Sequence, residues 1–207
     1  MARPADPTAH DALVAAARAE FARKGLRSAR VEDITSACGL SKGAFYLHFE
    51  SKEALFGELV DKFFGAITRS TDRRHEQMAE LDALDEKKFL EMEVREDLHV
   101  LELMWEYRDV VGVLLRGAQG TKFEGLIWGL TDGEIERIKE NVNRFKGAAA
   151  CRTDVPSEIF ASMIVGTYVL LGMRMSRMAE KPDLAEWARS LHTLIREGSA
   201  PIERSKS

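Results

Sequence analysis

The sequence predicts an all-α chain, with a small N-terminal helical domain followed by a larger helical C-terminal one. Three observations predict it. The five prolines sit at the margins (Pro4, Pro7, Pro156, Pro182 and Pro201), so nothing between Thr8 and Val155 removes a helical N–H. Apolar residues recur at three- and four-residue spacing, whereas strand-like alternation bounded by hairpin turns is absent. Small polar residues and glycines fall where helices start and stop.

The first helix is expected over Thr8 to Lys24, with Leu13, Val14, Ala17 and Phe21 on one face. Thr8 is its cap, and Gly25 ends it in a left-handed conformation. A short helix over Val31 to Cys38, capped by Ser28, leads to a turn at Gly39-Leu40. A second short helix runs from Ser41 towards His48. Ser51 caps a long helix with Leu55, Leu59, Phe63 and Ile67 on its apolar stripe, and the charged run from Arg69 to Glu80 ends it. Ala83 to Tyr107 reads as helix with Leu90, Val94, Leu98, Leu101 and Trp105 on one face. Val110 to Leu115 follows, then a loop marked by the glycines of "RGAQGT". Helix resumes at Phe123, with a break expected at Thr131 to Glu134, where "TDGE" has capping-box spacing. Ser157 to Met178 and Asp183 to Glu197 complete the chain, separated by Pro182. The domain division follows: residues 1–56 form the first unit, a linking helix covers about 51–77, and residues 78–207 form the second.

Composition is that of an ordinary globular protein, 45% hydrophobic and 31% charged. The N-terminus lacks the uninterrupted apolar core of a signal peptide, and no apolar run is read as reaching the roughly 18 residues that span a bilayer. A cytoplasmic protein without membrane contact is expected. Cys38 and Cys151, far apart and without ligand-like neighbours, read as buried thiols. The formal charge of −4 disfavours indiscriminate coating of nucleic acid, but residues 1–52 hold eight Lys/Arg against six Asp/Glu and the remainder is acidic.

The stretch "VEDITSACGLSKGAFYLHFESKEALF" concentrates the informative chemistry. Two short helices joined at a glycine, with Ile34, Cys38, Leu40 and Phe45 placed to meet a preceding helix, make a helix-turn-helix. Its second helix is the element that enters a major groove. Ser41 and Lys42 can donate to phosphate or base, and Gly43 allows close backbone approach. Tyr46 and His48 can bond phosphates, and Lys52 adds charge at the start of the next helix. Packing alone would explain Tyr46 and Phe49, but not the complete set.

"DITSACGLSKGAFYLHFESKEALF" resembles the DNA-binding domain of the TetR family of bacterial transcriptional regulators, over Thr8 to Phe56. The resemblance implies that Ser41, Lys42, Gly43, Ala44, Tyr46, His48 and Lys52 line the DNA side. Four positions depart from the family pattern. Thr35 stands where alanine is usual, and its hydroxyl is expected to bond back to a helical carbonyl. Ala44 replaces a hydroxyl residue. Ala29 and Arg30 replace a Thr/Ser pair, with Arg30 placed to reach a phosphate. The resemblance also implies a dimer, with Met175, Met178, Trp187, Leu191 and Leu194 at its interface. Two recognition helices would then lie roughly 34 Å apart on a palindromic double-stranded operator.

The same resemblance implies an effector pocket in the larger domain. Phe89, Met92, Trp105, Tyr107, Trp128, Met163 and Tyr168 suit a small hydrophobic ligand, and Glu93, Glu102 and Arg174 could add charge. No catalytic constellation is present. The five histidines are scattered without metal-ligand spacing, no phosphate-cradling loop occurs, and Glu91 and Glu93 diverge on a helix. No enzyme activity, cofactor or metal is expected. The reading from a different class is a helical dimeric protein-interaction module in which DNA binding is secondary or lost.

Overall fold

The structure, a computed structural model, describes residues 7–80, 86–144 and 155–198. Among them lie α1 (Pro7–Ser28), α2 (Val31–Ala37), α3 (Lys42–His48), α4 (Lys52–Glu80), α5 (Glu86–Glu106), α6 (Arg108–Arg116), α7 (Leu126–Arg144), α8 (Ser157–Met175) and α9 (Leu184–Gly198). The all-α expectation holds, and no strand occurs among the described residues. Cys151, the start expected at Ala83 and the tail after Gly198 lie outside them.

Two apolar clusters organise the packing. The larger joins Leu13, Phe21, Ile34 and Phe45 of α1–α3 to Phe56 and Phe63 of α4, then continues into Val110 to Leu114 of α6 and on to Phe123 and Ile127. Phe56 is its hinge: its ring meets Phe21 at 5.5 Å and Phe123 at 5.0 Å, both edge-on. The smaller cluster centres on Leu101 and Met104 of α5, Met175 of α8, and Leu184 and Ala188 of α9. Thus α4 and α6 carry apolar packing across the boundary between the two expected domains.

A second seam crosses that boundary in polar form. Arg18 of α1 grips Asp109 of α6 with Nε at 2.7 Å and Nη2 at 2.6 Å, and Nη2 also donates to the Glu106 carbonyl. About two turns further, Leu26 N donates to the Gly117 carbonyl at 3.0 Å. Gly25 has φ 75° and ψ 162°, so α1 kinks at the expected glycine but continues to Ser28. A Cβ at Gly117 would stand 3.1 Å from Gly25 Cα, and one at Gly25 would stand 3.2 Å from the Gly117 carbonyl oxygen. Two glycines therefore let the α1 and α6 backbones touch.

Several boundaries are corrected. Ser28 does not cap α2: Arg30 occupies the cap position in extended conformation and makes no side-chain cap bond. α7 starts at Leu126 and runs unbroken through "TDGE". Thr131 does not turn its hydroxyl to a downstream N–H; Oγ1 donates back to the Trp128 carbonyl at 2.8 Å, as a mid-helix threonine can. α8 is long and apolar enough by length and composition to cross a membrane, contrary to the sequence reading, because the helix extends past the apolar run at both ends. In this fold it packs against α5, α6 and α7.

Candidate nucleic-acid interface

The turn between α2 and α3 is built by the backbone. Leu40 N donates to the Thr35 carbonyl at 2.9 Å and Gly39 N to the Ser36 carbonyl at 3.3 Å, the paired bonds of a Schellman ending. Gly39 takes φ 69°, and a Cβ there would touch nothing within 4 Å, so it is the dihedral that calls for glycine. Thr35 bonds back as expected, its Oγ1 reaching the Glu32 carbonyl at 3.2 Å. Cys38 is half-buried, its thiol directed at the Ile34 and Thr35 carbonyls.

Ser41 then caps α3, its Oγ accepting from Ala44 N at 3.1 Å. Phe45 anchors α3 with no exposure and Phe49 lies just beyond it. The opposite face is open: Ser41, Lys42, Gly43, Tyr46 and Leu47 are all exposed, and Ala44 is half-buried. A Cβ at Gly43 would meet only Ser41 Oγ, at 3.7 Å. Nothing inside the fold requires a glycine there, although glycine costs a helix about 1 kcal/mol relative to alanine.

The four basic residues expected at this face differ in what they already hold. Lys42 bonds Glu32 at 2.6 Å, which raises its pKa and lowers that of Glu32. Arg30 is exposed beside it. Lys52 is committed inwards, donating to the Ala29 carbonyl at 2.7 Å and the Arg27 carbonyl at 2.9 Å. His48 leans on α1, its ring 5.8 Å from that of His10 and 6.3 Å from that of Phe49. Sequence reasoning missed Leu47, which is 67% exposed on α3 next to the 51% exposed Tyr46. The signal was available: on a helix whose inward positions are Phe45 and Phe49, Leu47 must point away.

Residues 13–59 match the family described as bacterial regulatory proteins, tetR family. This segment carries the TetR-family helix-turn-helix. Relatives include the HTH-type transcriptional regulator YerO of Bacillus subtilis, 42% identical over 59 residues that cover 28% of this chain and 20% of YerO. Another is the transcriptional repressor KstR2 of Mycolicibacterium smegmatis, 31% identical over 97 residues, 44% of this chain and 47% of that one. The chain thus matches less than half the length of either relative. The crystal structure of the transcriptional regulator FadR from Bacillus subtilis, in complex with stearoyl-CoA, is similar over 91% of this chain and 98% of that one, with TM-score 0.61 and 18% identity. That likeness extends the shared fold through the larger domain.

The larger domain does not gather the residues expected around an effector. Met92 is buried. Trp105 is half-buried under the Arg108 guanidinium, 4.2 Å from its ring centre. Tyr107 lies at the α5–α6 turn against Phe63, with Arg18 over its ring. Trp128 and Met163 face outwards, 56% and 49% exposed, because the inward positions of their helices are Ile127 and Val142, and Ala161 and Val165. The side chain of Phe89 lies outside the described part.

What occupies the centre instead is charged. Arg74 of α4 forks onto Glu93 of α5 with Nε at 2.9 Å and Nη2, while Nη1 reaches Asp97 at 3.1 Å. Tyr168 of α8 donates to the same Asp97 oxygen at 2.7 Å. Burial works against the Arg74 charge, but Glu93 and Asp97 outweigh it and hold the guanidinium protonated. Burial pushes Asp97 up from its ordinary range, and pushes Tyr168 well above its own. Of the other charges expected near an effector, Glu102 pairs with Lys181 at 2.5 Å and Arg174 is exposed. Among the described residues no group of three or more His, Cys, Asp or Glu is placed to hold a metal.

The expected dimer residues divide too. Met175 is fully buried in the smaller cluster of its own chain, where it continues the inward row Ala161, Val165 and Gly172. Trp187 and Leu191 pack on that cluster, Met178 is half-buried after the end of α8, and Leu194 is exposed. The outward row of α8 is Ile159, Met163, Gly166 and Leu170, with the three large side chains 49–61% exposed.

Proposed function

We propose that this chain is a transcriptional regulator, most simply a repressor, that binds a palindromic double-stranded operator as a homodimer and is released by a small hydrophobic effector. One observation carries the reading. α3 is pinned from behind by Phe45 and Phe49 while its front presents Ser41, Lys42, Gly43, Tyr46 and Leu47 to solvent, with a glycine no internal contact explains. Arg30 flanks that face. The hydroxyl proton of Ser41 is still available, because only its oxygen is used by the cap. Lys42 exchanges Glu32 for a phosphate on binding. Lys52 contributes by holding the α1–α2 junction, and His48 by its place beside α1.

The dimer reading is supported by the outward row of α8. Ile159, Met163, Gly166 and Leu170 follow one another at four, three and four residues, an apolar stripe with a small residue where a partner helix can approach closely. Leu194 of α9 adds to it. The repressor name of KstR2 and the stearoyl-CoA held by FadR support an effector with an apolar body. Met92, buried, and Tyr168 and Trp105, half-buried, are the members of the expected set assigned to such a ligand. The division into residues 1–56, a linking helix and residues 78–207 is part of this reading. So is a location in the cytoplasm, where the operator is.

The test is fluorescence anisotropy of labelled DNA from the flanks of the gene, with wild type and the Lys42→Ala/Tyr46→Ala double variant, at two salt concentrations. Wild type should bind, with affinity falling as salt rises, and the variant should bind at least about tenfold more weakly. Salt-independent binding, or equal binding by the variant, would sink the interface described above.

A further inference from the structure

An open groove of about 630 Å³ runs beside the N-terminal half of α4, between that helix, Tyr107 and the α6–α7 loop. Its size falls in the range of small-molecule sites. Ala54, Gly57 and Ala66 form a floor of small side chains, and the ring of Tyr107 makes one wall. A Cβ at Gly57 would meet the edge of the Phe123 ring at 3.6 Å, so a narrow helix surface here is matched by an aromatic one opposite.

The charges on the rim are unevenly used. Glu58 is already paired with Lys62 at 2.6 Å, and His10 Nε2 lies 3.6 Å from the same carboxylate. Arg69 and Lys122 line the groove and have no carboxylate partner among the described residues. Both are seated rather than loose. The Arg69 guanidinium folds back over Gly65, with Nη1 3.1 Å from where a Cβ would stand, so that a side chain at 65 would displace it. The Lys122 ammonium lies 5.1 Å over the Phe123 ring. Asp61 is the one rim carboxylate left without a partner among the described residues. Two unpaired cations face one unpaired acid, over an apolar floor.

We propose that this groove binds an amphipathic acid, a molecule with an apolar body and a carboxylate, sulfonate or phosphate head. The body lies on Ala54, Gly57, Ala66 and Tyr107, and the head is taken by Arg69 or Lys122. Such an occupant is distinct from one held in the interior around Met92 and Tyr168. It would touch α4 and Tyr107 together, and Tyr107 lies beneath the Arg18 that ties α1 to α6. The inference rests on the groove and not on the repressor reading, since binding is measured without DNA.

The experiment uses two fluorescent probes of one shape on the full chain. They are 8-anilino-1-naphthalenesulfonate, which carries the acid, and N-phenyl-1-naphthylamine, which lacks it. Wild type should bind the sulfonate more tightly. Arg69→Glu and Lys122→Glu should weaken it by about tenfold for the residue that takes the head, while binding of the neutral probe is unchanged. Asp61→Asn should tighten the sulfonate, an effect that mere loss of folding does not produce. Ala66→Trp, which fills the floor, should weaken both probes, and circular dichroism melting establishes that each variant is folded. Equal binding of the two probes, or sulfonate binding indifferent to both charge reversals, would overturn the proposal, the probe then residing on the apolar stripe of α8 or elsewhere. Failure of operator binding in the anisotropy experiment leaves these outcomes intact.

Discussion

The two ends of α4 are held by opposite chemistry. At the proximal end, Phe56 and Phe63 sit in an aromatic core with Phe21, Phe123 and Tyr107, and the helix is fixed by non-directional burial. At the distal end, Arg73 and Arg74 reach Glu96, Glu93 and Asp97, and the helix is fixed by a few directional bonds. Burial tolerates small sliding, whereas a forked guanidinium has one good geometry and loses much when displaced. The proximal end therefore belongs with α1–α3 as one body, and under the proposed function the distal end is the part an effector would shift. A factor of ten in operator affinity needs only about 1.4 kcal/mol of coupling between the two.

The largest test removes the proximal anchor. Phe56→Ala should cost about 3–5 kcal/mol, as for other fully buried aromatics, read by urea unfolding. A loss below 1 kcal/mol would mean that the two edge-on contacts of Phe56 do not hold the helix. The distal end should respond differently to two kinds of change. Arg74→Ala strands the buried Asp97 and the half-buried Glu93 and should cost about 3–5 kcal/mol. The triple change Arg74→Met/Glu93→Leu/Asp97→Leu removes the charges together and should be close to neutral in stability. If the triple variant is as damaged as the single one, the network is worth more than apolar packing, and its purpose is stability rather than switching.

The seam between α1 and α6 ranks next. Gly117→Ala places a methyl 3.1 Å from the Gly25 backbone, where no flexible side chain can yield. A cost of about 1–3 kcal/mol is expected, the usual range for overpacking, with Gly25 and Arg18 displaced together. Unchanged stability would show that the helices can part there freely.

The two regions should also part company with pH. In the N-terminal segment Lys24 holds Glu20 and Asp33 below the ordinary carboxylate range, and Lys42 does so for Glu32. Depressed carboxylates stabilise the fold above their unfolded pKa values and lose that contribution as pH falls through the folded ones. In the larger domain burial raises Asp97 and Glu134. Raised carboxylates contribute most below their unfolded pKa values and lose that as pH rises through the folded ones. Acidification from about pH 6 towards pH 4 should therefore lower the opening free energies of amides in α1–α3 and raise those in α5 and α8, by hydrogen exchange corrected for intrinsic rates. A parallel fall in both regions would deny the contrast.

The contrast also marks what could be read from the sequence. The helix-turn-helix was legible residue by residue, because its turn, cap and core positions are fixed by local rules: Gly39, Ser41 and Phe45 each act within a few residues of themselves. The seam and the charged centre were not. Arg18 meets Asp109 across 91 residues of sequence, and Arg74 meets Glu93 and Asp97 on the next helix across 19 and 23, and no local pattern tells an inward arginine from a solvated one. Met175 and Met163 show the same limit more finely. Both are apolar positions on one apolar helix, and only the packing of α5, α6 and α7 against it decides that Met175 turns in and Met163 turns out.

The smallest effect expected is also the most specific. Leu47 stands on the open face of α3 one turn after Gly43, and a large apolar side chain left 67% exposed there buries no surface in the free protein. Beside a major groove it has an apolar partner, the methyl group of thymine. Leu47→Ala should leave folding and salt dependence unchanged, since no charge and no core contact is altered. It should lower the discrimination between thymine and cytosine at one operator position by about 1 kcal/mol, read from competition between oligonucleotides. If Lys42 and Arg30 contact only phosphates, their loss should weaken all sequences alike. If Leu47→Ala also weakens all sequences alike, the side chain rests on the sugar–phosphate backbone, and base selection falls to Ser41, Ala44 and Tyr46.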